Sequence, residues 1–218
     1  MAAREPLLMV ADSEHDANML YATGVFVPDA FVFLRTGGRD YVIVSDLEID
    51  RIRRQAPHCK ALPLGEYLAR LRTQGLKNPG LAEVIPLALR ELRVTGVTVP
   101  WNFPHGLALD LAKAKVRVRV RPGTFFPERE EKTADEVKKI SAALMMAEIG
   151  MDEAMQVLKA CKIGKDRRLL HRNVPLTSEK LRSVIDTAIL NANGLASHTI
   201  VAGGRQGCDP HEIGHGPL

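Results

Sequence analysis

Short apolar runs alternate with helical periodicities along the first half of the chain. Residues 7–11 (LLMVA), 30–35 (AFVFLR) and 41–45 (YVIVS) have the length and β-branched or aromatic content of buried strands, and TGGRD between the last two supplies a turn. Residues 64–72 place Leu64, Tyr67, Leu68 and Leu71 on one helical face. A second helix is predicted over 81–93, with Pro86 either kinking it or marking a late start. Two further strands are expected at 97–100 and 116–120. Strands interleaved with helices predict an α/β fold.

The run KAKVRVRVRPG admits two readings. Lys113, Lys115, Arg117, Arg119 and Arg121 could form a basic stripe for nucleic acid. Alternation of Val with Arg is also what a half-buried strand requires, with Val116, Val118 and Val120 inward and the arginines guarding a sheet edge. No aromatic residues are interleaved for base stacking, which favours the strand.

The periodicity breaks at 121–136 (RPGTFFPEREEKTADE), where prolines, a glycine and dense charge mark a domain boundary. Thr133 and Glu136 then form a T-x-x-E capping box, predicting a helix to about residue 160. Its buried face is expected at Val137, Ile140, Leu144, Ala147, Met151 and Met155, the methionines acting as core filler, with Gly150 a weak point. Another helix starts at Thr177 as N-cap, carries Glu179 near its positive end, buries Leu181, Val184, Ile185, Ala188 and Ile189, and stops at Gly194. Residues 198–204 (HTIVAGG) are predicted as a strand entering a glycine turn.

Composition narrows the class. The chain has 218 residues, 45% of them apolar, enough for one large domain or two smaller ones. Thirty Lys and Arg against 26 Asp and Glu give a net charge of +4, spread out rather than blocked, which does not imply nucleic acid. Cys59, Cys161 and Cys208 are odd in number and lack C-x-x-C spacing, so neither a disulfide framework nor a thiolate zinc motif is suggested, and a reducing cytoplasm fits. The N-terminal apolar run is too short for a signal peptide, and no stretch reaches the roughly 20 apolar residues of a membrane span. A cytoplasmic protein with no membrane partner is expected. His15, His58, His105, His171 and His198 are scattered and taken as structural.

The last residues, CDPHEIGHGPL, contain H-E-x-x-H at His211, Glu212 and His215. In a zinc protease those histidines lie one turn apart on a helix, with Glu polarising the metal-bound water. Here Gly214 and Gly216 each cost a helix about 1 kcal/mol relative to Ala, and Pro217 disfavours helical dihedrals at Gly216. The spacing is therefore read as incidental, and no metal ligand is assigned.

The wider neighbourhood is more informative. SHTIVAGGRQGCDPHEIGHGPL (197–218), REEKTADEVKKIS (129–141), LTSEKLRSVI (176–185) and NMLYATGVFVPDAFVFLRTGGRDYVIVSDLEIDR (18–51) together resemble, in order, the creatinase, prolidase and Xaa-Pro aminopeptidase superfamily. The resemblance implies an N-terminal α/β domain with a mixed sheet over residues 1–126 and the first, incomplete part of a pita-bread α/β catalytic domain over 127–218. It also implies a metal-dependent aminopeptidase or dipeptidase that cleaves before proline, using two divalent ions (Mn, Co or Zn) held by two Asp, one His and two Glu. By position, His211 is the family's substrate-contacting, catalytic histidine, and His215 could line the substrate pocket. None of the five metal ligands matches a residue here, so the chain alone is expected to be inactive. Asn18 and Tyr21 lie in a stretch that in relatives approaches a neighbouring subunit, implying a homodimer. Two alternatives share the architecture: a non-catalytic binding or oligomerisation protein, and a metal-independent creatinase-like hydrolase of C–N bonds.

Overall fold

The computed structural model describes residues 5–218. It divides into two compact units, the first ending at Glu130 and the second spanning Glu131–Leu218.

In the first unit the five predicted strands form as β1 (Leu7–Ala11), β2 (Phe31–Thr36), β3 (Arg39–Val44), β5 (Gly96–Val99) and β6 (Arg117–Val120), and a sixth that the sequence reading does not predict, β4 (Cys59–Pro63), joins them. They build one mixed sheet in the order β4-β3-β2-β1-β5-β6. β1, β2 and β3 pair antiparallel, whereas β3–β4, β1–β5 and β5–β6 are parallel. The β2–β3 hairpin closes on Gly37 and Gly38 at φ +57° and +74°, the positive values that a two-residue hairpin turn needs at both positions. Helices α1 (Ala17–Thr23), α2 (Ile49–Gln55), α3 (Leu64–Thr73), α4 (Leu81–Glu91) and α5 (His105–Lys113) connect the strands.

The central strands read as continuous apolar runs because both faces of the sheet are covered. Leu8, Val32, Leu34, Tyr41 and Ile43 pack with Tyr67, Leu71, Val84, Ile85 and Leu111 from α3, α4 and α5. Met9, Phe33 and Val42 on the opposite face meet Met19, Ile49 and Ile52 from α1 and α2, together with Phe125 and Phe126. Helix α4 begins at Leu81 and passes through Pro86, so the proline does not mark its start.

Strand β6 lies at the sheet edge. Val116 is buried and Val118 half-buried, but Val120 is exposed, so the inward valine row stops one position short of expectation. Lys113 ends α5 and Lys115 turns at φ +64°, so the five basic residues do not share one strand face. Phe125 and Phe126 belong to the first unit's core, and the unit runs on to Glu130. Arg129, in the 3-10 turn Pro127–Glu130, donates from Nη1 to Asn18 Oδ1 at 2.7 Å.

The second unit contains α6 (Ala134–Lys159), a small antiparallel meander of β7 (Lys162–Ile163), β8 (Leu169–His171) and β9 (Val174–Pro175), and α7 (Ser178–Asn191). The capping box forms: Glu136 N–H donates to Thr133 Oγ1, and Thr133 N–H donates to Glu136 Oε2 at 2.8 Å. The expected buried face of α6 is wrong. Val137, Ile140, Leu144, Met151 and Met155 are all exposed, and the buried residues are Gly150 and Ala154. The reason is close helix packing. A Cβ on Gly150 would stand 2.8 Å from Ile189 Cγ1, so the absent side chain, rather than an apolar one, brings α6 against α7.

Gly194 acts in the same way. The left-handed residue after α7 is Asn193, at φ +64°, and a Cβ on Gly194 would lie 2.8 Å from Ile189 Cγ2. Residues 198–204 do not form the predicted strand. Their segment makes one backbone bond to the returning chain, Val201 N–H to Ile213 C=O at 3.0 Å, and no ladder.

Candidate functional site

Helix α7 carries two stripes. Leu181 and Ile185 contribute to the second unit's core, while Glu179, Arg182 and Asp186 recur at helical spacing on a polar stripe. That stripe holds the following loop. Arg182 donates from Nε to the Thr199 carbonyl at 3.0 Å and from Nη2 to the Gly214 carbonyl at 2.7 Å, with a further bond to the Ile213 carbonyl. Thr199 Oγ1 donates to Asp186 Oδ1 at 2.6 Å. Both ends of the 199–214 segment are thus tied to one guanidinium.

The loop's return depends on glycine. Gly214 has φ +82°, and a Cβ there would fall 1.7 Å from the Val201 carbonyl oxygen. Beyond it, Gly216 N–H donates to Glu179 Oε1 at 3.0 Å, and Ser178 N–H donates to the Gly216 carbonyl at 2.9 Å. The Gly216 amide holds the Glu179 carboxyl down at about 2. Leu218 then bonds through its amide to Leu176 and through its carbonyl to the Leu169 amide, so residues 216–218 lie against β8 and the start of α7.

His211 sits in a turn and is exposed, its own N–H donating to Asp209 Oδ1 at 3.1 Å. His215 is also exposed, but its backbone is clasped by Gln206: His215 N–H donates to Gln206 Oε1 at 2.9 Å, and Gln206 Nε2 donates to the His215 carbonyl at 3.1 Å. Its Nδ1 lies 3.6 Å from Glu212 Oε1, which also accepts the Gly214 N–H at 3.0 Å. The two histidines therefore sit on one anchored loop, His215 fixed at its backbone and His211 presented to solvent. A solvent-facing imidazole can donate a hydrogen bond or relay a proton to a molecule docking on the loop.

The H-E-x-x-H residues adopt no helix, in keeping with the glycine and proline argument. Among the described residues, the group of three His, Cys, Asp or Glu side chains close enough to share an ion is Asp40, His58 and Cys59, in the first unit. The second unit therefore offers no ligand set that fits a two-ion centre. Sequence reading missed Arg182, Asp186 and Gln206. The charge stripe at 179, 182 and 186 was the available signal for the first two, whereas Gln206 carried none.

Asn18 Oδ1 accepts from Arg129, and Tyr21, partly exposed, packs its ring 5.5 Å from that of Phe126. Both belong to the first unit. No helix of the described chain is long and apolar enough to cross a membrane.

No protein-family model and no curated protein matches the chain by sequence. By structure it is similar to an X-Pro aminopeptidase from Thermotoga maritima, with TM-score 0.72 and 15% identity over 96% of this chain and 53% of that one. An Xaa-Pro dipeptidase from Bacillus anthracis gives TM-score 0.73 and 14% identity over 98% of this chain and 52% of that one. A dipeptidase from Pyrococcus horikoshii gives 0.68 and 14%, over 99% and 54%. The chain spans about half the length of these structures, and over that half it has the mixed-sheet α/β fold of the Xaa-Pro aminopeptidases and prolidases.

Proposed function

We propose that the chain is part of a metal-dependent peptidase of the Xaa-Pro type, an aminopeptidase or dipeptidase that hydrolyses the bond before proline. One observation carries this reading: the fold likeness takes in 96–99% of the chain. In this reading His211 contacts the peptide substrate as hydrogen-bond donor or proton relay, and His215 lines the same pocket. The anchored loop supplies orientation, since Arg182 and Gln206 leave the backbone around these histidines little freedom.

The two divalent ions (Mn, Co or Zn) expected from the resemblance have no fitting ligand set among the described residues of the second unit, so no chemical step is routed through them. The protein is further read as a cytoplasmic homodimer, with Asn18 and Tyr21 near the subunit contact.

The test is hydrolysis of Xaa-Pro dipeptides and tripeptides by the isolated chain and by the protein purified from its source, with Mn²⁺, Co²⁺ or Zn²⁺ added and with chelator. The expected result is an inactive isolated chain and chelator-sensitive cleavage by the native protein. Chelator-insensitive cleavage, or none under any metal, would overturn the reading. Sedimentation of the native protein as a monomer would remove the dimer.

A second reading, a non-catalytic binding protein of the same architecture, draws support from the exposed apolar face of α6. Peptide binding without cleavage under every metal would select it.

A further inference from the structure

One end of the first unit's sheet gathers polar side chains that the loop chemistry does not use. In the strand registers Arg35 pairs with Asp40 and Asp40 with Cys59, so the three stand side by side on one face, at the rim of the core covered by α1 and α2. His58 immediately precedes Cys59, in the turn between α2 and β4. One ligand atom from each of Asp40, His58 and Cys59 lies within 4.8 Å of the others.

Neighbouring groups already orient these side chains. Arg35 grips both carboxylate oxygens of Asp40, Nε to Oδ1 at 2.7 Å and Nη2 to Oδ2 at 2.8 Å. A carboxylate has about four lone-pair sites, so two remain. His58 Nε2 lies 3.0 Å from the Ala22 carbonyl oxygen, a contact only an N–H makes favourably, which places the free lone pair of a neutral ring on Nδ1. An imidazole whose second nitrogen donates to a carbonyl, beside a carboxylate held by its own partner, is the outer-shell arrangement found around metal ligands.

We propose that Asp40, His58 and Cys59 form a binding site for a borderline-soft divalent cation, Zn²⁺ foremost, with a fourth position left to water. Thiolate, imidazole and carboxylate are the ligand types Zn²⁺ takes, at bond lengths that place tetrahedral ligand atoms roughly 3.3–3.8 Å apart. The three ligand atoms lie within 4.8 Å of one another, and the exposed side of His58 gives an ion a path in from solvent. On binding, the Cys59 thiol releases its proton to solvent as the sulfur–metal bond forms. Thiolate and carboxylate then offset the ion's two charges, and Arg35, still holding Asp40, is the cluster's remaining positive charge. The site is independent of the peptidase reading, because it lies wholly in the first unit and involves neither histidine of the loop.

The test uses the complete, tag-free chain after chelator treatment and desalting. One equivalent of Zn²⁺ is expected to be retained, and Co²⁺ is expected to give the near-ultraviolet charge-transfer absorption of a thiolate–cobalt bond. Cys59→Ser should abolish that band. Cys59→Ser and His58→Ala should each weaken Zn²⁺ binding at least tenfold, whereas Cys208→Ser should leave band and affinity unchanged. His58 is exposed, so the His58→Ala chain keeps its far-ultraviolet dichroism and decides the matter even if Cys59→Ser misfolds. The proposal falls if the folded chain retains no stoichiometric Zn²⁺, if affinity survives His58→Ala, or if the band is lost with Cys208→Ser instead.

Discussion

The two units differ in how many sides of their elements are closed. In the first, a six-stranded sheet is covered on both faces and two separate cores form, with Phe33, Leu8, Met19 and Ile52 removed from solvent. In the second, the buried cluster is Ala154, Leu176 and Leu181, while α6 turns Ile140, Leu144, Met145 and Met151 outward. Large apolar side chains are present in both, five among the 11 residues of α4 and ten among the 26 of α6. What separates them is whether an apolar stripe meets a second layer.

Truncation in each unit tests that contrast. Phe33→Ala should cost about 3–5 kcal/mol in urea or thermal unfolding of the first unit, combining lost transfer energy with a cavity between sheet and helices. Met151→Ala should cost less than about 0.5 kcal/mol, as for an ordinary surface position. A Met151 loss as large as that at Phe33 would mean that the outward face of α6 is covered in solution.

An intermediate effect is expected at the helix contact. Gly150→Leu forces a side chain into Ile185 and Ile189 and should destabilise the second unit by about 1–3 kcal/mol despite the better helix propensity of leucine. Unchanged stability would show that α6 and α7 can separate without loss.

The smallest effect should come from pH. Glu179 titrates at about 2 in the folded chain because the Gly216 amide bonds its charged form, below the ordinary carboxylate value of 4.5. A lowered folded value means the contribution is complete above about pH 5 and fades as pH falls from 4.5 towards 2. Hydrogen exchange at the Gly216 amide should therefore quicken, relative to its intrinsic rate, over that window. Glu179→Gln should flatten the dependence, and an equally steep profile in that variant would show that another group controls the strap.

Much of the first unit was legible, for a physical reason. Strands buried on both faces announce themselves as continuous apolar runs, Gly37-Gly38 specifies its hairpin locally, and the caps at Thr133 and Thr177 depend on side chains within three residues. The misreadings have a shared cause. The positions chosen for the α6 core follow large apolar residues, whereas the actual contact is made by Gly150 and Ala154, and no periodicity of large residues reveals a contact made by small ones. Residues 198–204 have strand-like composition, but a strand needs a ladder partner, and a single bond to Ile213 is not one. The position of His211 after Pro210 could be read from the resemblance, but the anchoring by Arg182 and Gln206 could not, because those contacts cross 31 and 9 residues of sequence. Asp40, His58 and Cys59 were invisible for the same reason: strand register, not spacing, brings them together.

The Arg182 clamp has a consequence for how this surface can vary. Because one guanidinium holds both Thr199 and Gly214, the entropy of closing the intervening loop is met at its two ends rather than along its length. Between the Gln206 clasp and His211, residues 207–210 are then the stretch best able to accept insertion or exchange while helix α7 and its packing stay as they are.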